Sequence, residues 1–371
     1  MTRILKVDQK IPESFALLKE AVQSLKEDKP VGMPTETVYG LAANCLKAEA
    51  ASRIYAVKNR PMDNPLIVHI SKLEMLKMVV HPEFLESILP RVDAVMKKFW
   101  PGPLTLLLPA HPNLPSCVTA GLSTVGVRFP AHPVAQALIE EAGFPLAAPS
   151  ANLSGRPSPT TAQHVYDDLK GRIECIVDGG SSEVGLESTV VDLLREPPVI
   201  LRPGGITQTM LREIVPEIAV YRPKKMQKSA ENGCEIDEDR PSTPGMKYKH
   251  YAPNAPVWLF SLKNPTGNVR QDSARLAPLI SEYLQVKAQG KKIVKMENCS
   301  FGLKSNFESV ILLSETGSLN EIARNLFGAL RAADELGPEI IVAEAVCEED
   351  EGLAIMNRLF KSAGEQIIYL Q

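Results

Sequence analysis

The stretch VGVRFPAHPVAQALIEEAGFPLAA, residues 125–148, decides the fold class. Residues 125–129 are apolar around a single arginine and read as a strand. Pro133 then opens a segment in which Val134, Ala135, Leu138 and Ile139 share one helical face, so the spacing predicts a helix over 133–142. A strand follows at 145–148. The same alternation extends outward. Strands are expected near 29–33, 65–70, 104–108, 173–178, 188–194 and 198–202, and helices near 12–28, 48–58, 85–99, 161–169 and 207–215. Strands mixed with helices at this density predict an α/β domain over residues 1–221.

The whole chain has 371 residues, which suggests two domains. With 44% hydrophobic and 23% charged residues, a largely disordered chain is excluded. The densest apolar run, Leu104 to Leu108, is far shorter than the roughly 20 residues that span a bilayer. The first residues lack the apolar core of a secretory signal, so the expected location is the cytoplasm, with no membrane partner. A net charge of -3 excludes a generally polycationic nucleic-acid coat, though not a local basic cleft. The six cysteines are widely scattered, with no CxxC pair, and the six histidines form no metal signature. No metal-ligating residues are expected.

Residues 222–256 change texture. They are almost devoid of aliphatics and run basic, acidic and basic again. Such a segment cannot bury a core of its own and reads as a linker or a lid over the active site. Tyr248, His250 and Tyr251, set among Pro and Gly, look too specific for a passive tether. Residues 257–371 then form a smaller α/β domain: strands at 257–260, 292–296, 309–314, 339–346 and 366–370, and helices at 272–288, 318–336 and 351–362. Ser318 is a plausible N-cap and Gly337 a stop. No Gly-rich phosphate loop assigns this domain a cofactor.

Five segments carry chemistry. In PTETVYGL (34–41), hydroxyls follow a strand, expected before a helix start; an anion site and an ordinary N-cap are both open. In KNRPMDNP (58–65), Lys58 and Arg60 close a helix; Pro61 and Pro65 would stiffen the loop into the rigid Arg fork that polyphosphate recognition needs, against the plainer reading of solvated charge. His69, inside the next strand, reads most simply as a satisfied core residue. Arg128, in an apolar strand, requires an anionic partner, and the residues leave open whether that is protein or ligand. APSANLSGRPSPT (148–160) is a strand-end loop rich in hydroxyls and amides, suited to a phosphate or adenine, or else a surface turn with Thr160 as a helix cap. GLESTVVD (185–192) and LRPGG (201–205) place polar groups at the ends of apolar strands, where α/β sheets bind ligands. Together these segments set four cations, Lys58, Arg60, Arg128 and Arg202, beside many hydroxyls, with no Ser-His-Asp order and no thiol site. That inventory fits phosphoryl or nucleotidyl chemistry better than covalent hydrolysis.

Taken in order, PTETVYGL, KNRPMDNPLIVHI (58–70), WPGPLTLLL (100–108), VTAG (118–121), GVRFP (126–130), APSANLSG (148–155), GLESTVVD and LRPGGI (201–206) resemble the YrdC-type threonylcarbamoyl-AMP synthases. The K-x-R…S-x-N signature stands as Lys58-Asn59-Arg60 and Ser150-Ala151-Asn152. The linker motif STPGMKYKHYAP (242–253) and the C-terminal domain resemble the long, two-domain form. Met33 departs from the aromatic that often precedes PTET.

The resemblance implies a twisted open mixed α/β sheet with a concave basic cleft, followed by a smaller Rossmann-like domain. It implies that L-threonine, bicarbonate or CO2, and ATP give L-threonylcarbamoyladenylate and pyrophosphate, the first step of tRNA threonylcarbamoyladenosine modification, with a separate transferase system downstream. It assigns Thr35, His69, Arg128 and Ser188 to threonine. It assigns Lys58, Arg60, Asn64, Thr119, Ser150, Asn152, Ser158, Arg202 and Tyr248 to ATP, with Lys58 and Arg60 catalytic. Mg2+ is expected to arrive on the phosphates, since no carboxylate cluster marks a protein site for it. The rival from another class is an RNA-binding module acting in translation without catalysis, with phosphate contacts in the cleft. The near-neutral charge and the lack of aromatic stacking platforms stand against it.

Overall fold

The segment at 125–148 forms strand Thr124–Arg128, helix Pro133–Ala142 and strand Leu146–Ala147 in a computed structural model that describes residues 1–221, 250–300, 307 and 309–371. The described residues fall into two compact units. One holds residues 1–154, 159–183 and 187–221; the other holds 155–158, 184–186 and the described residues from 250 on.

The first unit is built on eleven strands: β1 (Arg3–Lys6), β2 (Val31–Met33), β3 (Gly40–Asn44), β4 (Ile67–His69), β5 (Leu104–Pro109), β6 (Thr124–Arg128), β7 (Leu146–Ala147), β8 (Cys175–Asp178), β9 (Thr189–Asp192), β10 (Val199–Arg202) and β11 (Ala219–Val220). Their order is β1-β8-β2-β3-β7-β4-β6-β5-β9-β10-β11. Parallel pairs such as β4/β6 and β5/β9 alternate with antiparallel ones such as β5/β6 and β9/β10, so the sheet is mixed. Strand alternation divides its side chains. Val68, Leu106, Val127, Val191 and Ile200 join the main core, which includes Leu138 and Ile139 of the helix Pro133–Ala142. Each Leu or Ile buried there contributes about 1.5–3 kcal/mol of hydrophobic stabilisation. On the strands' alternate positions, Ile67, Leu107, Val190, Val199 and Leu201 make a separate small cluster.

Several sequence expectations change here. The Thr-Glu-Thr segment does not precede a helix. It joins β2 to β3, which pair antiparallel, and the next helix begins only at Ala48. The strand Gly-Leu-Ala-Ala-Asn went unread because small residues carry little strand preference, yet all five are buried. The span 12–28 divides into a 3-10 turn, Pro12–Leu17, and a helix, Leu18–Lys26. The span 85–99 divides into Pro82–Glu86 and Pro90–Phe99, because Pro90 lacks the N–H that a continuing helix needs. Thr161, not Thr160, caps the helix Ala162–Leu169, accepting from His164 N at 3.2 Å.

The second unit carries five parallel strands, β12 (Val257–Leu262), β13 (Ile293–Glu297), β14 (Ser309–Leu312), β15 (Ile340–Glu344) and β16 (Ile368–Leu370), in the order β14-β13-β15-β12-β16. Helices Val269–Lys287, Leu319–Glu335 and Glu351–Ser362 connect them. Ser318 sits at the N-cap position, but its side chain makes no cap bond; Ser314 Oγ instead accepts from Gly317 N and Ser318 N. Tyr251 is buried in this unit, its ring centroid 5.3 Å from that of Phe327. The linker between the units, including Tyr248, lies outside the described residues from 222 to 249.

Candidate active site

Three adjacent strands carry a row of polar side chains. In register, His69 of β4 pairs with Arg128 of β6, and Arg128 pairs with Thr105 of β5. All three are buried, at 4%, 4% and 0% exposure. Partners in register share a face, so the row stands on the same side as Ile67 and Leu107, two residues along their strands. Gly126 lies between them, and a Cβ there would stand 3.2 Å from the Thr105 methyl.

The β2–β3 loop supplies the groups around Arg128. Its Nη1 donates to Thr37 Oγ1 at 2.7 Å, its Nη2 lies 2.7 Å from Glu36 Oε1, and its Nε donates to Gly102 O at 3.4 Å. Nη1 and Nε therefore each have a hydrogen-bond partner, whereas Nη2 is ion-paired with Glu36 but buried without a hydrogen bond among the described residues, so the fork keeps unused N–H groups. The internal ion pair left open by the sequence exists, and the fork still has donors to offer. Burial, the largest single influence, raises the Glu36 carboxyl, but the Arg128 charge together with hydrogen bonding from Arg128 and the backbone outweighs it and holds the carboxyl below the usual carboxylate range. Thr35 Oγ1 lies 2.9 Å from Thr37 Oγ1 and accepts from the backbone N–H of Thr37 and Val38, which fixes the loop. His69 is pushed down to about 3, first by burial and then by the Arg128 charge, so its imidazole is neutral at physiological pH.

On the far side of the row, Ser188 Oγ lies 2.7 Å from Thr105 Oγ1. Arg202 donates to Ser188 O through Nε at 3.2 Å and Nη2 at 3.0 Å, and to Ser188 Oγ at 3.3 Å. Gly204 is needed where it stands: a Cβ would lie 2.4 Å from both Glu187 O and Thr189 N. The LRPGG segment thus packs against the Ser188 backbone without a side chain between them.

Lys58 and Arg60 are not solvated. Their exposures are 1% and 8%. Lys58 Nζ donates to the carbonyls of Ser150 and Asn152. Arg60 donates through Nε to Asn64 O at 3.3 Å and through Nη2 to Pro65 O at 3.0 Å, and Asn59 turns the chain with φ 52°. The loop is the stiff one its prolines predicted. Ser150 Oγ donates to Asn152 Oδ1 at 2.5 Å. A bridge between Gly40 and Ser150, with Ala151 N donating to Tyr39 O at 2.8 Å, lays this loop beside the β2–β3 loop. Thr119 ends the short helix Ser116–Thr119, its hydroxyl 3.4 Å from Ser116 O. Asn64, Thr119 and Ser158 are buried; Ser158 falls in the stretch grouped with the second unit.

The structure therefore joins Thr35 and Arg128 through Thr37, Ser188 and Arg202 directly, and Lys58 with Ser150 and Asn152. Sequence reasoning missed Glu36, Thr37 and Thr105. Glu36 and Thr37 were in the quoted motif, and the demand that Arg128 find an anion was the signal for Glu36. Thr105 also lay in a quoted motif, WPGPLTLLL, but a lone hydroxyl in an apolar strand carried no signal of its own. Met33 is fully buried, in contact distance of Gly40 beside the loop.

A sheet face that gathers cations and hydroxyls around a neutral histidine, with no activated nucleophile among the described residues, has the chemistry of an α/β enzyme that works by binding and charge stabilisation. A family profile described as telomere recombination matches residues 23–204, and one described as threonylcarbamoyl-AMP synthase, C-terminal domain, matches residues 206–364. A threonylcarbamoyl-AMP synthase of Pyrococcus abyssi is 44% identical over 99% of both chains, and one of Bacillus subtilis is 42% identical over 95% of this chain and 94% of its own. The crystal structure of P. abyssi Sua5 complexed with L-threonine superposes with a TM-score of 0.84 at 42% identity, over 99% of each chain. The chain belongs to the threonylcarbamoyl-AMP synthase family.

Proposed function

We infer that this chain condenses L-threonine, bicarbonate or CO2, and ATP into L-threonylcarbamoyladenylate, releasing pyrophosphate, as the first step of tRNA threonylcarbamoyladenosine modification. Similarity over the full length of the named synthases supports the reaction, and the neutral His69–Arg128–Thr105 row is the observation that carries the site. The free N–H groups of Arg128 receive the threonine carboxylate. Ser188 and neutral His69 hydrogen-bond its hydroxyl and amine, and Thr35 closes the loop side. The amine captures carbon dioxide as a carbamate, whose oxygen attacks the α-phosphorus while pyrophosphate leaves. Threonine supplies the nucleophile, so the protein needs none. Lys58, Arg60 and Arg202 offset charge on the phosphates, with Lys58 and Arg60 acting on the reacting nucleotide. Asn64, Thr119, Ser150, Asn152 and Ser158 are proposed as further ATP contacts, and Tyr248 on the strength of the sequence resemblance alone.

Mg2+ is proposed to travel with ATP. Among the described residues no group of three His, Cys, Asp or Glu could hold a metal ion, and Glu36 is engaged by Arg128. No described residue is assigned to hold it, and no step is routed through it. The product would be consumed by a transferase acting on tRNA. Among the described residues no helix is long and apolar enough to cross a membrane, and the reading places the protein in the cytoplasm. The non-catalytic RNA-binding reading is not favoured by relatives named as synthases. Pyrophosphate release decides between them. It should require threonine, bicarbonate and ATP together and no RNA, and release of none would overturn the reading.

A further inference from the structure

One carboxylate in this cation-rich site has no assigned role. Glu36 is 7% exposed, and its Oε1 is fully used: it lies 2.7 Å from Arg128 Nη2 and accepts from Ala131 N at 3.1 Å. Its Oε2 is buried without a hydrogen-bond partner among the described residues. Leaving a charged acceptor unpaired in the interior costs more than leaving a neutral one, and native structures rarely tolerate it without a functional reason. The groups that feel this carboxylate besides Arg128 are His69 and His132, and burial disfavours the charged form of both.

L-Threonine brings a matching charge. Its carboxylate satisfies Arg128, but its α-ammonium then enters a site whose assigned charges are all positive. We propose that Glu36 Oε2 receives the α-ammonium of L-threonine and is the determinant that selects an amino acid over a hydroxy acid. This rests on the reading that Arg128 holds the substrate carboxylate. Glu36, Arg128, the substrate carboxylate and the ammonium then alternate in sign, and every charge has an opposite neighbour. Glu36 touches substrate directly in this arrangement, holding the amine as its ammonium until it gives up a proton to solvent and its freed lone pair captures carbon dioxide.

The test compares two ligands by calorimetric titration of the full chain without ATP: L-threonine and 2,3-dihydroxybutanoate, in which a hydroxyl replaces the amine. Hydrogen bonds to charged groups are worth about 1.5–3 kcal/mol, so the wild type should prefer threonine by at least about tenfold. In Glu36→Gln, which keeps the shape but not the charge, that preference should fall to within about twofold of unity while the hydroxy acid binds as before. Glu36→Asp, which keeps the charge but withdraws the oxygen, is read by the same criterion if Gln compromises the fold. If both ligands weaken together, Glu36 acts only by holding Arg128 and the proposal fails; it fails equally if the preference survives. Arg128→Ala, titrated alongside, reports separately on the pocket: unchanged threonine affinity there overturns the carboxylate assignment.

Discussion

The hydroxyl of Ser188 lies 2.7 Å from that of Thr105, and both are buried. Since Arg202 also reaches Ser188, one serine links the proposed threonine pocket to a cation assigned to the nucleotide. Thr105→Val keeps the shape and removes the hydroxyl. A typical buried hydrogen bond contributes about 0.5–1.5 kcal/mol, so denaturant unfolding should show a loss of that size. Ser188, released on one side, should raise the KM for threonine several-fold. An unchanged KM would mean that Arg202 alone holds Ser188 in place.

Lys58 and Arg60 are buried against main-chain carbonyls, which fixes both cations before any ligand arrives. Removing one preorganised donor from an active site commonly costs about 100–1000-fold in kcat. Lys58→Ala and Arg60→Ala should each lower pyrophosphate release by that order. Arg60→Lys should recover only part of the activity, because an ammonium cannot reach Asn64 O and Pro65 O together with the phosphate. Near-normal turnover by Arg60→Ala would remove it from the mechanism. Circular dichroism should accompany the assay, since Arg60 also stiffens its loop.

Much of the fold was legible because its signals are local. The helix Pro133–Ala142 is marked by Pro133 at its start and by one apolar face, and the structure starts and stops it there. Strand β3 was not legible, because Gly40, Ala42 and Ala43 carry no strand signature and are strands only through their neighbours. The site divides the same way. Motif residues could be named from sequence, but their relations depend on register between strands distant in the chain. The pairing of Thr105 with Arg128, and the reach of Glu36 to the same guanidinium, exist only once β5, β6 and the β2–β3 loop are assembled.

Substrate choice follows from the polar lining of the pocket. Valine has threonine's shape without the hydroxyl, so it would leave Ser188 and His69 facing a methyl group. A site built to hydrogen-bond a hydroxyl rejects the analogue lacking it far more strongly than an apolar pocket rejects a missing methyl, by about 10,000-fold in favourable cases. With Thr105 and Arg202 still partnering Ser188, a smaller penalty is expected here, about 100-fold in kcat/KM. Pyrophosphate release with each amino acid at saturating ATP measures it. Activity with valine close to that with threonine would reject this lining as the threonine pocket.

The neutrality of His69 has a consequence for stability. Its folded-state value is pushed down to about 3, by burial first and Arg128 second, whereas in the unfolded chain it sits near the ordinary 6.5. Between these values the unfolded chain binds one proton more than the native protein, so the group opposes folding increasingly as the pH falls through that window. The slope approaches about 1.4 kcal/mol per pH unit for one proton, and above 6.5 the contribution vanishes. Glu36, held below its usual range, adds a loss of the same sign at lower pH, so the His69 part must be isolated by difference. Denaturant unfolding of the wild type and of His69→Gln should diverge below pH 6.5, with the variant losing less stability on acidification. The same variant should lose activity at pH 7.5, where charge is not at issue and only the hydrogen bond to substrate is removed. Parallel stability curves for the two proteins between pH 6.5 and 4.5 would show that the imidazole takes up its proton inside the fold, and the neutral donor or acceptor assigned to it would have to be abandoned.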